Sequence, residues 1–323
     1  MLTAALLLIA LQTPAGVAEP VPVAPESPLP QYAFEAPVRG PLSSVGSSTV
    51  GFIMSETSAA FGALHPDVAF SIEGAGSGTA PPALTGGRAA LAPMSRRMRD
   101  GERAAFEARF GYPPTAVPVA IDAVAVFVHR DNPIAGLTLD ELDRALGTAP
   151  DAGTPAVTWG DLGLTGDWAG EPIVPFGLPD NYGVHSILRR EVLGGDPFRS
   201  DLRMQYGSSL VAQEVGAERG GIGFTSLFFD TARTRPLPLG RTGGVGGVPA
   251  EPTRANILSG RYPLGRTLWV YVNKAPDRPL PPQVAEFLRF VLSAQGQRVI
   301  ADAGYYPLPA DLAAEARTSL GLN

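Results

Sequence analysis

Val45-Gly46-Ser47-Ser48-Thr49 is the stretch on which the reading of this chain turns. It follows a short apolar run, Pro41 to Val45, and precedes Val50 to Leu64, whose apolar spacing predicts a helix. A strand that turns directly into a helix leaves the first helical N–H groups without intrahelical acceptors, and the helix dipole adds positive potential at the same place. Small hydroxyl side chains let an anion approach such a turn closely. After the next predicted strand, Val68 to Ile72, comes a second turn of similar chemistry, Gly74-Ala75-Gly76-Ser77-Gly78-Thr79. The order predicts a βαβ unit whose Gly/Ser/Thr turns converge on one small oxyanion. Plain helix capping is the other reading of the same residues.

With 323 residues, 45% of them apolar, the chain can bury a large core and is long enough for two lobes. Only 17% of residues are charged, while Gly (38) and Pro (33) are abundant, which predicts short elements joined by tight turns. A formal charge of −6 argues against nucleic acid as a partner. The absence of cysteine excludes disulfides, thiolate metal sites, a cysteine nucleophile and a thioether-linked lipid anchor. His65, His129 and His185 fall on different elements without ligand spacing, so no metal or other cofactor is expected. Nor is any nucleophile–base pair recognisable, so no enzymatic activity is expected.

Leu2 to Leu11 is an apolar run too short to span a bilayer comfortably, and Gly16-Val17-Ala18 fits a cleavage site. Residues 1–18 are therefore read as a signal peptide, and the destination as the periplasm or the exterior. Residues 19–37, rich in proline, read as an extended linker. Beyond the first βαβ unit, Ala89 to Pro93 reads as a strand, and Asp100 as the cap of a helix from Gly101 to Phe110. Thr115 to His129 is almost unbroken Val, Ile, Ala and Phe, suited to a strand buried on both faces that crosses between lobes. Thr138-Leu139-Asp140-Glu141 is a capping box. Pro172 to Gly177 and Thr267 to Val272 read as strands, Gly240 to Val248 as a loop, and Pro281 to Val299 as one long amphipathic helix.

Several motifs in order carry a family resemblance. They are Val45 to Thr49, Gly76 to Thr79, Ala92-Pro93-Met94-Ser95-Arg96, Val119 to Val126, His129 to Thr138, Gly220 to Phe224 and Glu286 to Ser293. On these residues, from about Leu42 to Leu312, the chain resembles the phosphate-binding proteins that serve ABC transporters, a branch of the periplasmic binding proteins. The resemblance implies an α/β, two-lobe fold of type II, with mixed sheets flanked by helices and a ligand cleft between the lobes. Residues 38–125 and 269–323 would form the first lobe and 126–268 the second. It also implies a monomer that holds phosphate or another small oxyanion and delivers it to a membrane permease.

Carried over by position, the ligand-facing residues are Ser47, Ser48 and Thr49 from the first turn and Ser77 with the Gly78 amide from the second. Ser95 and Arg96 follow, Arg96 either reaching into the cleft or pairing with an acid on the surface. In the second lobe the family usually reads Y-G-R-x-x-x-S-G-T. Here the matching residues are Phe176-Gly177-Leu178-Pro179-Asp180-Asn181-Tyr182-Gly183-Val184. Leu178, Tyr182 and Val184 stand where three donors usually stand, leaving Gly183, Tyr182 and Asp180 as the candidates on that side. Asp180 either caps the next helix or puts its carboxylate in the anion's place; Tyr182 either lines the pocket or packs in the core. Losing a charged donor costs roughly 1.5–3 kcal/mol and each hydroxyl roughly 0.5–1.5, so a second reading is a degenerate relative that serves as a sensor, adaptor or partner-binding protein.

Overall fold

The computed structural model describes residues 29–33, 37–148, 153–241 and 248–322. The expected signal peptide, most of the linker and most of the Gly240–Val248 loop lie outside them. Strand β1 (Gly40–Val45), helix α1 (Ser48–Leu64) and strand β2 (Val68–Glu73) form the expected βαβ unit. A 3-10 turn at Ser77–Thr79 leads into α2 (Ala80–Thr85), β3 (Ala92–Met94), α3 (Asp100–Phe110) and the long β4 (Thr115–His129). Next come β5 (Leu137–Thr138), α4 (Leu139–Leu146), β6 (Val174–Gly177), α5 (Gly183–Glu191) and β7 (Arg203–Met204). They are followed by α6 (Ser208–Ala217), β8 (Gly221–Ser226), β9 (Thr234–Pro236) and β10 (Leu239–Gly240). The last described elements are α7 (Arg254–Leu258), β11 (Gly265–Val272), α8 (Pro282–Val291), α9 (Ala294–Asp302) and α10 (Ala310–Leu320).

Parallel pairing sets where the turns end up. β1 runs parallel to β2, from Gly40 opposite Val68 to Val45 opposite Glu73. On its other side a parallel bridge joins Ser44 to Leu91, just before β3. All three strands therefore finish at one edge, where their following turns meet. The second half repeats this arrangement, with β6 parallel to both β7 and β8. Loops at the carboxyl ends of parallel strands are where such sheets bind ligands.

The halves are joined through β4, buried without interruption from Val117 to Val128 as its composition predicts. Its first part, Thr115 to Ala123, pairs antiparallel with β11; from Val124 it turns to β8. The register with β11 shifts between Leu268 and Trp269, opposite Ala120 and Pro118. Pro118 has no N–H to offer the ladder, so an irregularity there is expected.

One carboxylate sits in this apolar strand. Asp122 lies opposite Arg266 of β11, which donates to its Oδ2 from Nε at 3.0 Å and from Nη2 at 2.6 Å. Ser226 of β8 donates to Asp122 Oδ1 at 3.0 Å, and Arg266 Nη1 reaches the Ser95 carbonyl at 3.2 Å. Asp122 is 3% exposed and Arg266 9%, so the pair is removed from water at the junction of the two halves.

Three local expectations need correction. The described part of the linker is docked, not free: Leu29 is buried, the Ala294 N–H donates to the Pro30 carbonyl, and Tyr32 Oη bonds to both His65 and Glu286. Leu29 and Tyr32 give it apolar surface that packs on the folded part, while Pro30 between them stays exposed. The single C-terminal helix is two, because Ser293 adopts an extended backbone and caps α9 by accepting from the Gly296 N–H at 3.2 Å. Gly296 permits the turn, since a Cβ there would lie 2.1 Å from the Phe290 carbonyl oxygen. Finally, Arg99, not Asp100, is the N-cap of α3, because Glu102 reaches back to accept the Arg99 N–H at 2.8 Å.

Replacing Arg266 with methionine strands a buried carboxylate, so R266M should destabilise the fold by about 3–5 kcal/mol. Replacing both partners, D122L/R266M, should recover much of that loss. Urea unfolding followed by circular dichroism measures both.

Candidate functional site

The first turn is built by capping and strand ends together. Ser47 spends its hydroxyl on the cap of α1, accepting from the Val50 N–H at 3.3 Å, and donates its own N–H to the Pro93 carbonyl at 2.8 Å. Ser48 and Thr49 open the helix with N–H groups that have no acceptor inside it. Thr49 is buried, and its carbonyl accepts from Tyr305 Oη at 3.1 Å. The Gly76 N–H donates to the Gly46 carbonyl at 2.9 Å. These bonds draw the start of α1, the Gly74–Thr79 turn and the segment after Pro93 onto one another.

Ser77 and Ser95, both fully buried, form the centre. Ser77 Oγ accepts from the Ser95 N–H at 3.0 Å and lies 3.2 Å from Ser95 Oγ. Gly183, the first residue of α5 from the other half, covers them: a Cβ on it would stand 2.4 Å from Ser95 Oγ and 2.8 Å from Ser77 Oγ. The same Cβ would meet Arg96 Cγ at 3.4 Å, so Arg96 packs against the glycine as well. Only a residue without a side chain allows this approach.

Arg96 is held in two ways at once. Its Nη1 and Nη2 each lie 2.7 Å from an oxygen of Glu102, while Nε is buried with no hydrogen-bond partner. Burial pushes the Glu102 carboxyl up, but bonds from Arg96 and from the Arg99 backbone outweigh that and hold it below the usual range. Arg96 thus pairs with an acid, as one of its two readings expected, but does so buried and not on the surface.

A scan against family models matches residues 33–295 to the PBP superfamily domain. This chain belongs to the PBP superfamily. The phosphate-binding protein PstS of Pseudomonas aeruginosa is 46% identical over 311 residues, covering 95% of this chain and 96% of that protein. Protein SphX of Synechococcus elongatus is 26% identical, covering 82% of this chain and 77% of the other. Among solved structures, an ABC-type phosphate transport receptor from Vibrio cholerae superposes with a TM-score of 0.64 at 19% identity, over 83% of this chain and all of that one. The two-lobe α/β architecture expected from the resemblance is that of the superfamily.

The remaining candidates of this superfamily member are placed differently. Gly78 does not keep its N–H free: it donates to the Asn181 carbonyl at 2.9 Å, while Asn181 Nδ2 donates to the Ala75 carbonyl at 2.9 Å. Asn181, overlooked in the sequence because it carries no charge, thereby ties one half to the other. Asp180 is exposed and neither caps α5, whose N-cap is Tyr182, nor enters the serine cluster. Tyr182 is buried, which raises its phenol pKa. Leu178 and Val184, at usual donor positions, are core residues. Among the described residues no cluster of three or more His, Asp or Glu is arranged to hold a metal.

Sequence reasoning also passed over Asp122, Arg266, Ser226 and Tyr305, which form the wall behind Ser95 and Thr49. A signal existed: one carboxylate inside Thr115–His129 has to find a partner once that strand is buried.

His185 is buried on α5 with Nδ1 2.7 Å from the Leu178 carbonyl, facing Asp180, Arg189 and Arg99. Burial lowers its pKa, more than the Leu178 bond and Asp180 raise it. The unfolded chain therefore takes up a proton below about pH 6.5 that the folded chain resists, and stability should fall as pH drops through that value. H185N should flatten the fall, as read from thermal midpoints between about pH 7 and 5.

Because Gly183 lies on two hydroxyls, G183A should cost about 1–3 kcal/mol through overpacking, visible as a lower thermal midpoint. G101A, at an exposed glycine of α3 with open space around it and no positive φ, serves as its comparison.

Proposed function

We propose that this chain is the exported solute-binding component of a phosphate ABC transporter, holding phosphate or a related small oxyanion between its lobes. The lobe limits we infer are residues 38–125 with 269–323, and 126–268. It acts by binding and release, not by chemical conversion, working as a monomer in the periplasm and passing its ligand to a membrane permease. The 46% identity to PstS across nearly the whole of both chains supports this reading.

The observation that carries it at the site is Arg96. A buried guanidinium with one N–H unspent, on the residue after Ser95, together with two serine hydroxyls and the helix start at Gly183 packed on them, is the donor set that a desolvated oxyanion requires. It also supplies a positive charge where the usual second-lobe arginine is replaced by Leu178. Ser48, Thr49, Ser77 and Ser95 contribute amides and hydroxyls from the first lobe, and Gly183 brings the N-terminus of α5 from the second. The ten residues expected from the sequence thus divide into ligand donors and their supports. Ser47, Gly78 and Tyr182 shape the turns, and Asp180 stays at the rim.

Calorimetric titration with orthophosphate at neutral pH tests the reading. A stoichiometric heat with a dissociation constant of the order of micromolar is expected, near −8 kcal/mol. R96Q should weaken it by roughly ten- to hundredfold and S77A by roughly two- to tenfold. The apolar burial of Leu178 and Val184, which leaves the second wall short of hydroxyls, favours the sensor or adaptor reading instead. Silence up to millimolar phosphate would select it.

A further inference from the structure

Outside the serine cluster the two lobes enclose a groove of about 560 Å³, lined by Arg96, Arg97 and Arg99 from one side and Arg189 and Arg190 from the other. At about 30 Å³ per water this is room for on the order of eighteen waters, far more than one tetrahedral oxyanion fills. Two carboxylates also line it: Asp100, which pairs with Arg103 at 3.4 Å, and the exposed Asp180. Arg96 is neutralised by Glu102 and Arg190 by Glu191, each at 2.7 Å. Arg97, Arg99 and Arg189 are different, because among the described residues none of them has a carboxylate within ion-pair distance.

Each of these three is oriented by neutral groups. Arg97 stacks over the Trp269 ring at 4.1 Å. Arg99 donates to Ser186 Oγ at 2.7 Å across the lobes. Arg189 Nε donates to the carbonyls of Gly195 and Asp196 at 2.7 and 3.1 Å. The guanidiniums are therefore positioned without ion pairing, although Glu102 acts on Arg99 at longer range, in a chain whose net charge is −6. Planar forks set apart along a groove match several phosphate groups in a row better than one. The lining includes no Trp, Tyr or Phe face on which a base could stack.

We propose that this groove is a second anion site, which takes a linear chain of condensed phosphate and adjoins the buried oxyanion site, sharing with it only the edge formed by Arg96. Its occupant bridges the lobes through Arg99 on one and Arg189 on the other. The claim does not depend on orthophosphate binding at the serine cluster, because the two sites are read by different ligands.

The test is calorimetry of the full chain with tripolyphosphate, alone and after saturation with orthophosphate. Tripolyphosphate should bind in both cases, less tightly as sodium chloride rises. R99Q/R189Q should weaken it at least about tenfold while leaving any orthophosphate affinity within about twofold. S186A, which removes only the bridge that orients Arg99 and keeps both charges, should weaken tripolyphosphate binding by no more than about threefold. The proposal is overturned if tripolyphosphate gives no heat up to about millimolar, if orthophosphate displaces it, or if R99Q/R189Q binds it as wild type does. It is equally overturned if S186A reproduces the loss, since closure and not charge would then be responsible. Wild type that binds tripolyphosphate but not orthophosphate would refute the transport reading and leave the groove standing.

Discussion

The Asp122–Arg266 pair is the constraint on which the rest of the molecule depends. It sits where β4 leaves one strand partner for another, so it lies on the line about which the lobes are joined. Removing two charges from water is costly, and the cost is offset only when each lone pair and N–H finds a partner. Here Ser226 answers one carboxylate oxygen, and the remaining reach of Arg266 is given to the Ser95 carbonyl. The junction is thus hydrogen-bonded to the segment that carries Ser95 and Arg96. Through Tyr305, which packs near the same cluster and donates to Thr49, it is also linked to the start of α1.

From that junction the site follows by topology. Parallel strands in each half place their carboxyl ends toward the same gap, and the loops leaving them are short. The hydroxyl-bearing turns after β1, β2 and β3 have nowhere else to go. What the second half brings to the gap is mostly backbone: a glycine, an asparagine carbonyl and a helix start. The hydroxyls and the guanidinium come from one half, and backbone of the other half covers them from water.

Much of the fold was legible because its signals are periodic and local. The alternation of β2, the apolar face of α1, the capping box before α4 and the unbroken apolar run of β4 are all properties of neighbouring residues. The break between α8 and α9 was not legible, because it depends on Ser293 preferring a cap to a helix and on the fit of Gly296 against Phe290. Short strands such as β5, β7 and β10 have no period to detect. At the site, Ser77, Ser95, Arg96 and Gly183 were singled out by their motifs and lie close together, while the roles of Ser47 and Gly78 depend on which partner reaches them first. Asn181 offered no chemical signal at all, since its contribution is a carbonyl and an amide at one place in space.

The replaced donors of the second lobe show why motif matching alone misjudges a site. Leu178, Tyr182 and Val184 are not empty places in a phosphate cradle; they are packed side chains of the core around α5 and β6. Restoring arginine, serine and threonine there would bury a guanidinium and two hydroxyls among apolar neighbours, at a desolvation cost that no nearby group is placed to offset. A buried guanidinium stands in the other half: Arg96, held by both oxygens of Glu102, with its Nε left without a hydrogen-bond partner. A guanidinium fixed in that way loses less freedom on meeting an anion than one that must first be ordered. Its anchoring acid also tempers the charge that the guanidinium presents.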